Sequence, residues 1–386
     1  MNHELIEKFT DFYGVRPAVV AAAPGRLEIL GNHTDYNQGF VLSCAVGQRT
    51  GFAMVPRDGK HCRIVDFRDG SRAEFELDDI DKPRPRDWSN YIKGVIVELR
   101  KRGVEIGAFD AAILSTVPLS AGMSSSAALE TSAGFAFRAA FGIDGFDNAE
   151  WARIGQGVEN HYMGLKSGLL DQFSSIFGKK HSMILSDFRS VEVIKTVALP
   201  EGYSLAVINS MVKHNLVDSE YNTRRQDCEH AAEKLRKRYA HVQTLRDVSS
   251  AELDAAKADL TFLEYKRAKH VVGECERVMQ GVAALEKGDV EAFGKLLFAS
   301  HESSRVNFEN STPELDYLVE LAQSVDGCLG ARLSGGGFGG ITIHLVRTEE
   351  AERYAARVAE GFQLRYKIKP EVILCEIGAG ASAETL

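Results

Sequence analysis

The chain has 386 residues, 44% of them hydrophobic and 26% charged, with a formal net charge of −8. That length predicts two domains and a core large enough to need neither disulfides nor a structural metal. The acidic balance excludes a surface built to neutralise phosphates, so neither nucleic acid nor an anionic membrane is an expected partner.

The opening "MNHELIEKFTDFYGVRP" has early acidic residues and no apolar centre, so it does not read as a secretion signal. Residues 4–13 predict a short amphipathic helix ended by Gly14 and Pro17. Two apolar runs follow, "AVVAAA" and "FVLSCAVG", both read as strands. Between them lies "GRLEILGNHTDYNQG", residues 25–39, which crowds Arg26, Glu28, Asn32, His33, Asp35 and Asn37 between three glycines. "TGFAMVP", "CRIVDF" and "AEFEL" predict further strands of a meander, and residues 88–103 a helix stopped by Gly103.

"FDAAILSTVP" predicts a strand that leads into "LSAGMSSSAALETSAGFAFRAAFG". After the serines this is a strong Ala- and Leu-rich helix ended by Gly142. A helix start leaves backbone N–H groups free and its dipole favours negative charge. Small side chains let an anion approach, so the loop favours a phosphate cradle over a serine-capped turn. No GxxxxGK[ST] occurs, which excludes an ordinary P-loop. Residues 147–163 predict another helix, and "SMILSDFR" and "YSLAVINS" strands. In "SGLLDQFSSIFG", Asp171 taken alone reads as the N-cap of the helix that follows.

Near residue 200 the texture shifts to long charged amphipathic helices, such as "EYNTRRQDCEHAAEKLRKRY" and "EYKRAKHVVGECERVMQGVAALEKG". "VEAFGKLLFASHESSRV" and "TPELDYLVELAQSV" continue the series. "LSGGGFGGITIHLV" contains GxGxxG at Gly335, Gly337 and Gly340, but a strand follows it instead of a helix, which excludes a dinucleotide fold. A ligand-approaching loop and a plain hairpin both remain open there. His161, His270 and His301 read as structural. The six cysteines are scattered, with no CxxC pair or zinc spacing, and read as reduced thiols of a cytoplasmic protein. No stretch approaches membrane-spanning length.

Three ordered blocks, "PGRLEILGNHTDYNQG", "VPLSAGMSSSAALE" and "ARLSGGGFGG", resemble the three motifs of the GHMP small-molecule kinases. The first is similar to the galactokinase pattern GR-x-N-x-x-GEHTDYN, and "WSNYIKG", "GLLDQFSS", "VKHNLVDSEYNTRRQDCE", "RAKHVVGECERV" and "SHESSR…STPELD" resemble galactokinase segments in order. The resemblance implies an α+β, two-domain GHMP kinase fold. An S5-like N-terminal domain (residues 1–200) and a ferredoxin-like C-terminal domain (201–386) would hold the site between them. It implies a monomeric, ATP- and Mg²⁺-dependent kinase that phosphorylates the anomeric hydroxyl of galactose.

Carried over position by position, the resemblance makes Asp171 the base or orienting group and Arg26 its cationic partner. Asn32, His33, Asp35, Gly168 and Tyr221 would bind the sugar. Gly122, Met123, Ser124, Ser125, Ser126, Gly336 and Gly337 would hold the nucleotide, and Ser126 and Glu159 the Mg²⁺. One departure stands out. Galactokinases carry Asn at 28 and Glu at 32, the latter contacting the C6 hydroxyl; here Glu28 and Asn32 are exchanged. Either Glu28 restores the charge and the substrate is still galactose, which the intact His33, Asp35, Asp171 and Tyr221 favour, or the sugar differs at C6, as in galacturonate or L-arabinose. A non-catalytic sugar and ATP sensor is a further alternative, as is a mevalonate or homoserine kinase, against which "HTDYN" and "EYNTRR" argue.

Overall fold

The computed structural model describes residues 1–119, 122–213 and 217–386. Ser120 and Ala121 of the serine-rich loop, and residues 214–216 of "VKHNLVDSEYNTRRQDCE", lie outside the described residues. The first helix, α1 (Asn2–Tyr13), buries Leu5 and Phe9, one turn apart. Gly14 ends it in a left-handed conformation, its N–H donating to the Thr10 carbonyl at 2.8 Å.

The strand β1 (Val19–Leu30) is longer than the sequence suggests, running through the polar stretch to Leu30. Leu27 and Ile29 alternate with Arg26 and Glu28, so one face enters the core while the other carries charge. The expected separate strands "FVLSCAVG" and "TGFAMVP" likewise form one strand, β2 (Phe40–Arg57). β1 pairs with it from Val19 to Leu30, with register shifts between Pro24 and Arg26, opposite the join of the two runs, and between Glu28 and Leu30. After β3 (His61–Asp66) and β4 (Arg72–Glu76), α2 (Asn90–Arg100) crosses to β5 (Ala108–Ser115), which pairs parallel to β3. Then come α3 (Ser125–Phe141), α4 (Asn148–Gly157), α5 (Leu170–Phe177), β6 (Ser182–Asp187) and β7 (Glu192–Ala198).

The remaining elements are β8 (Tyr203–Lys213), α6 (Val217–Arg238), α7 (Ser250–Ala255), α8 (Phe262–Glu286), α9 (Val290–Ser303), α10 (Pro313–Ser324), β9 (Cys328–Ser334), β10 (Gly339–Arg347), α11 (Ala351–Tyr366), β11 (Glu371–Cys375) and β12 (Ser382–Thr385). The first sheet has the order β12-β1-β2-β5-β3-β4, with β6 beside β2 and β7 beside β6. The second is antiparallel, in the order β11-β8-β10-β9. The chain's last strand therefore returns to the first sheet, against β1. No helix among the described residues is long and apolar enough to cross a membrane.

One core lies between the first sheet and α2 to α5, around Phe52, Phe109, Phe137, Trp151 and Phe173. A second joins the other half of β1 to the second sheet and to α8 and α9, through Leu27, Ile29, Val207, Ile343, Val282 and Phe293. β1 contributes to both cores, so its charged residues sit at their junction. Phe109 is fully buried and meets Phe75 edge-to-face and Phe137 at a tilt, with centroid distances of 6.3 and 5.1 Å. Phe109→Ala should lower stability by about 3–5 kcal/mol, read as a shift in the urea midpoint of the first-sheet transition.

Candidate active site

A cavity of about 480 Å³ opens where β1, the turn after it, α5, α6 and the β9–β10 connection meet. Arg26 enters from β1. Its Nε and Nη2 reach Asp171 Oδ1 at 2.9 and 2.8 Å, and its Nη1 donates to the Gly122 carbonyl at 2.6 Å. The Arg26 N–H also donates to the Met123 carbonyl at 3.2 Å. That approach needs Gly25, where a Cβ would fall 2.5 Å from the same carbonyl oxygen. Asp171 is not the N-cap that local sequence suggests. α5 begins at Leu170, so Asp171 is its second residue and projects into the cavity. Its Oδ2 accepts from Ser124 Oγ at 2.5 Å.

Ser124 stands at the N-cap position of α3 with φ 54°, yet its hydroxyl makes no cap bond and turns to Asp171 instead. Ser125 and Ser126 open the helix, and Met123 buries its side chain in the second core. Ser126 Oγ lies 3.3 Å from Glu159 Oε1. Glu159 sits on a π turn, residues 158–162, that continues α4, and its other oxygen accepts from Ser167 Oγ. Burial, then the nearby Asp171 charge, raises its carboxyl above the ordinary value. Behind it, Glu130 is fully buried with Oε2 accepting from Gln172 Nε2 at 2.9 Å. Burial and the Glu159 charge push Glu130 well upward.

The turn after β1 supplies His33 and Asp35. His33 donates from Nε2 to the Gly336 carbonyl at 3.1 Å and accepts at Nδ1 from Tyr36 Oη at 2.9 Å. Burial drops its pKa to about 3, so the ring is neutral and this tautomer is fixed. Its face packs on Tyr221 from α6 and on Phe308, with centroids 5.0 and 4.3 Å away. Asp35 accepts from the Leu170 N–H at 3.3 Å. A side chain at Gly168 would overlap its carboxylate. Burial raises Asp35 to about 6, with the Glu28 and Asp171 charges adding to it.

The β9–β10 connection is a hairpin turn that also walls the cavity. The Gly335 carbonyl accepts from Asn32 Nδ2 at 2.8 Å, and Gly336 O accepts from His33 and from Asn310 Nδ2. Gly335 and Gly336 line the cavity, while Gly337 packs on Asn310. Asn32 is fully buried in the same wall.

A galactokinase galactose-binding signature matches residues 7–56, and the N- and C-terminal GHMP kinase domains match residues 90–179 and 282–364. A galactokinase of Actinobacillus pleuropneumoniae serotype 3 is 42% identical over 375 residues, covering 96% of each chain. One from a Roseiflexus species is 39% identical over 359 residues, covering 93% of this chain and 91% of the other. The chain belongs to the galactokinase family.

A Lactococcus lactis galactokinase solved with galactose superposes with a TM-score of 0.93 at 32% identity, over 98% of this chain and 99% of that one. A mevalonate kinase at 18% identity and TM-score 0.62 shares the fold, covering 93% and 98%. The chain thus has the α+β GHMP kinase architecture that its motifs suggest.

Several site residues of this galactokinase relative carry no local sequence signal. Glu274 on α8 is fully buried and accepts the Gly31 and Asn32 N–H groups at 3.0 and 2.9 Å and Arg277 Nε at 2.6 Å. Arg277, His270 and Arg332 hold its carboxyl well below the ordinary range despite burial. His270 donates to the Asn32 carbonyl at 3.1 Å, consistent with a structural role. Arg332 is fully buried and bonds Glu28 at 2.8 Å. The only signal for Glu274 is a charge inside the apolar face "HVVGEC".

Asp35 gives a stability prediction. Its folded pKa, about 6, exceeds the usual 3.8, so the folded state binds the proton more tightly than the unfolded one. Its contribution is favourable below about 3.8 and is lost as pH rises through 6. Asp35→Asn should therefore raise the stability of the ligand-free chain by roughly 1–3 kcal/mol at pH 7.5, and the gain should vanish at pH 4, measured by urea titration at both values.

Proposed function

We infer that the chain transfers the γ-phosphoryl group of ATP to the anomeric hydroxyl of D-galactose, giving α-D-galactose 1-phosphate and ADP. The bond from the anomeric oxygen to Pγ forms as the bond from Pγ to the β–γ bridging oxygen breaks. The reading is carried by one observation: Asp171 lies in the cavity, bonded to both Arg26 and Ser124 at the start of α3. In this reading Asp171 accepts the hydroxyl's hydrogen bond and takes its proton as the oxygen attacks. Arg26 offsets the charge of the transferring group, and phosphoryl transfer depends mainly on such positioning and charge compensation.

The N–H groups from Gly122 to Ser126, at the positive end of the 17-residue α3, receive the ATP phosphates. The β9–β10 turn meets that loop at Gly335, where a Cβ would lie 3.6 Å from the Gly122 carbonyl oxygen, while Gly336 and Gly337, which the resemblance assigns to the nucleotide, stand beside His33, Tyr221 and Asn310. Ser126 and Glu159 would hold Mg²⁺, which supplies charge neutralisation on the phosphate oxygens. The fit rests on their 3.3 Å approach, a hydroxyl and a carboxylate oxygen being the hard donors that Mg²⁺ takes alongside phosphate oxygens and water. His33, Asp35, Gly168 and Tyr221 shape the sugar side, with Asp35 an acceptor for a hydroxyl.

We divide the chain near residue 200, with β12 returning to the first half. We take the chain to act as a monomer. Six free cysteines suit the cytoplasm. With Asp171, Arg26 and the serine loop assembled, a sensor without catalysis is disfavoured.

The test is ADP release by purified protein with galactose, galacturonate, L-arabinose, N-acetylgalactosamine and glucose. Galactose should exceed the others, and Asp171→Ala should lower kcat by roughly 10²–10⁴-fold. Galactose binding without turnover of any sugar would overturn the reading.

A further inference from the structure

Arg26 and Glu28 are two residues apart on β1 and share its cavity face, opposite the buried Leu27 and Ile29. The ladder to β2 is regular from Arg26 to Glu28 and shifts register on either side, so this short segment is held as true strand. Two strand residues advance about 7 Å. Arg26 marks the reacting end through Asp171, and Glu28 is the next cavity-facing side chain, about one sugar ring further along.

The hydrogen bonding of Glu28 is one-sided. Its Oε1 accepts from Asn32 Nδ2 and from Arg332 Nη2, each at 2.8 Å. Arg332 is itself anchored, Nη1 donating to the Ile29 carbonyl at 3.0 Å. No group among the described residues donates to Oε2, although Glu28 lines the cavity. Asn32 is the reverse case. Its Nδ2 donates to Glu28 Oε1 and Gly335 O, and its Oδ1 accepts from Asn310 Nδ2 at 3.0 Å and Ser304 Oγ at 3.3 Å. A side-chain amide offers two donors and two acceptor positions, so Asn32 has nothing left for a ligand.

We propose that Glu28, and not Asn32, reads the end of the sugar remote from the anomeric carbon, its Oε2 accepting a hydroxyl at the C4–C6 end. This rests on the sugar-kinase reading above. Asn32 and Arg332 are positioning residues, fixing Oε1 so that Oε2 faces the ligand. A sugar lacking that hydroxyl leaves Oε2 unpaired in a buried wall, and one with a carboxylate there meets like charge.

The experiment measures kcat/KM, and Kd by calorimetry, for galactose, 4-deoxygalactose and 6-deoxygalactose, using wild type, Glu28→Gln and Glu28→Asp. Glu28→Gln should weaken galactose by roughly 10- to 100-fold, mostly through KM, and leave one of the two deoxy sugars within about twofold of wild type. Glu28→Asp keeps the charge and should retain part of the preference, which covers the case of a poorly folded Gln variant. Equal losses on all three sugars, or none on galactose, would overturn the proposal. A wild type that does not turn over galactose would fail the kinase reading alone, because the Kd series still reports on Glu28.

Discussion

One guanidinium organises the centre of this molecule. Arg26 bonds Asp171 and the Gly122 carbonyl together, so β1, the loop before α3 and the start of α5 share a single donor group. A lysine would supply one charge but not a planar fork that reaches both partners at fixed angles. With Arg26 on one carboxylate oxygen, the other draws the Ser124 hydroxyl away from its own helix. The start of α3 is then left without a side-chain cap, and its N–H groups remain available to an anion. The proposed base and the proposed phosphate site are thus consequences of the same contact.

The turn after β1 is held from the other direction. Glu274 takes two of its N–H groups, His270 its Asn32 carbonyl and Asn310 the Asn32 side chain, while Arg332 holds Glu28 and the Ile29 carbonyl on β1 just before it. These partners come from α8, β9 and the segment before α10, far along the chain. Two π turns recur here: residues 158–162 carry Glu159, and residues 304–308 carry Ser304 and Phe308. Such turns add a residue to a helix and re-aim its side chains, a feature common at functional sites. Asn310 Oδ1 and Arg332 Nε in this wall are also without a partner among the described residues, but neither residue lines the cavity, whereas Glu28 does.

Much of the frame was legible from local pattern. Leu5 and Phe9 one turn apart, Gly14 and Gly142 at helix ends, and the Ala-rich run after the serines all follow helical rules. α11 carries equally clear spacing at Tyr354, Val358 and Phe362 and was open to the same reading. β12 was not, since "SAET" is exposed and depends on pairing with β1. Charge interrupts the polar stretch at 25–39, so the pattern by itself assigns it no element. Its first part pairs with β2 as strand, and partners 145 and 304 residues away, Asp171 and Arg332, offset the charges of Arg26 and Glu28. Local rules made Asp171 a capping residue, whereas its partners Arg26 and Ser124 lie 145 and 47 residues away in sequence. The exchange of Glu28 and Asn32 was visible as letters, but its meaning lies in the bond between them and in Arg332.

The most direct test of the central claim is the chemical identity of the product. Wild-type protein is incubated with galactose and MgATP, and the phosphorylated sugar is examined by phosphorus and proton nuclear magnetic resonance. A phosphate coupled to the anomeric proton with the small coupling of the α configuration is the predicted result. It would place the reacting hydroxyl at Asp171 and Arg26, with the rest of the sugar extending toward Glu28. A phosphate on C6 or any other carbon, or ADP and free phosphate with no sugar phosphate, would contradict the account.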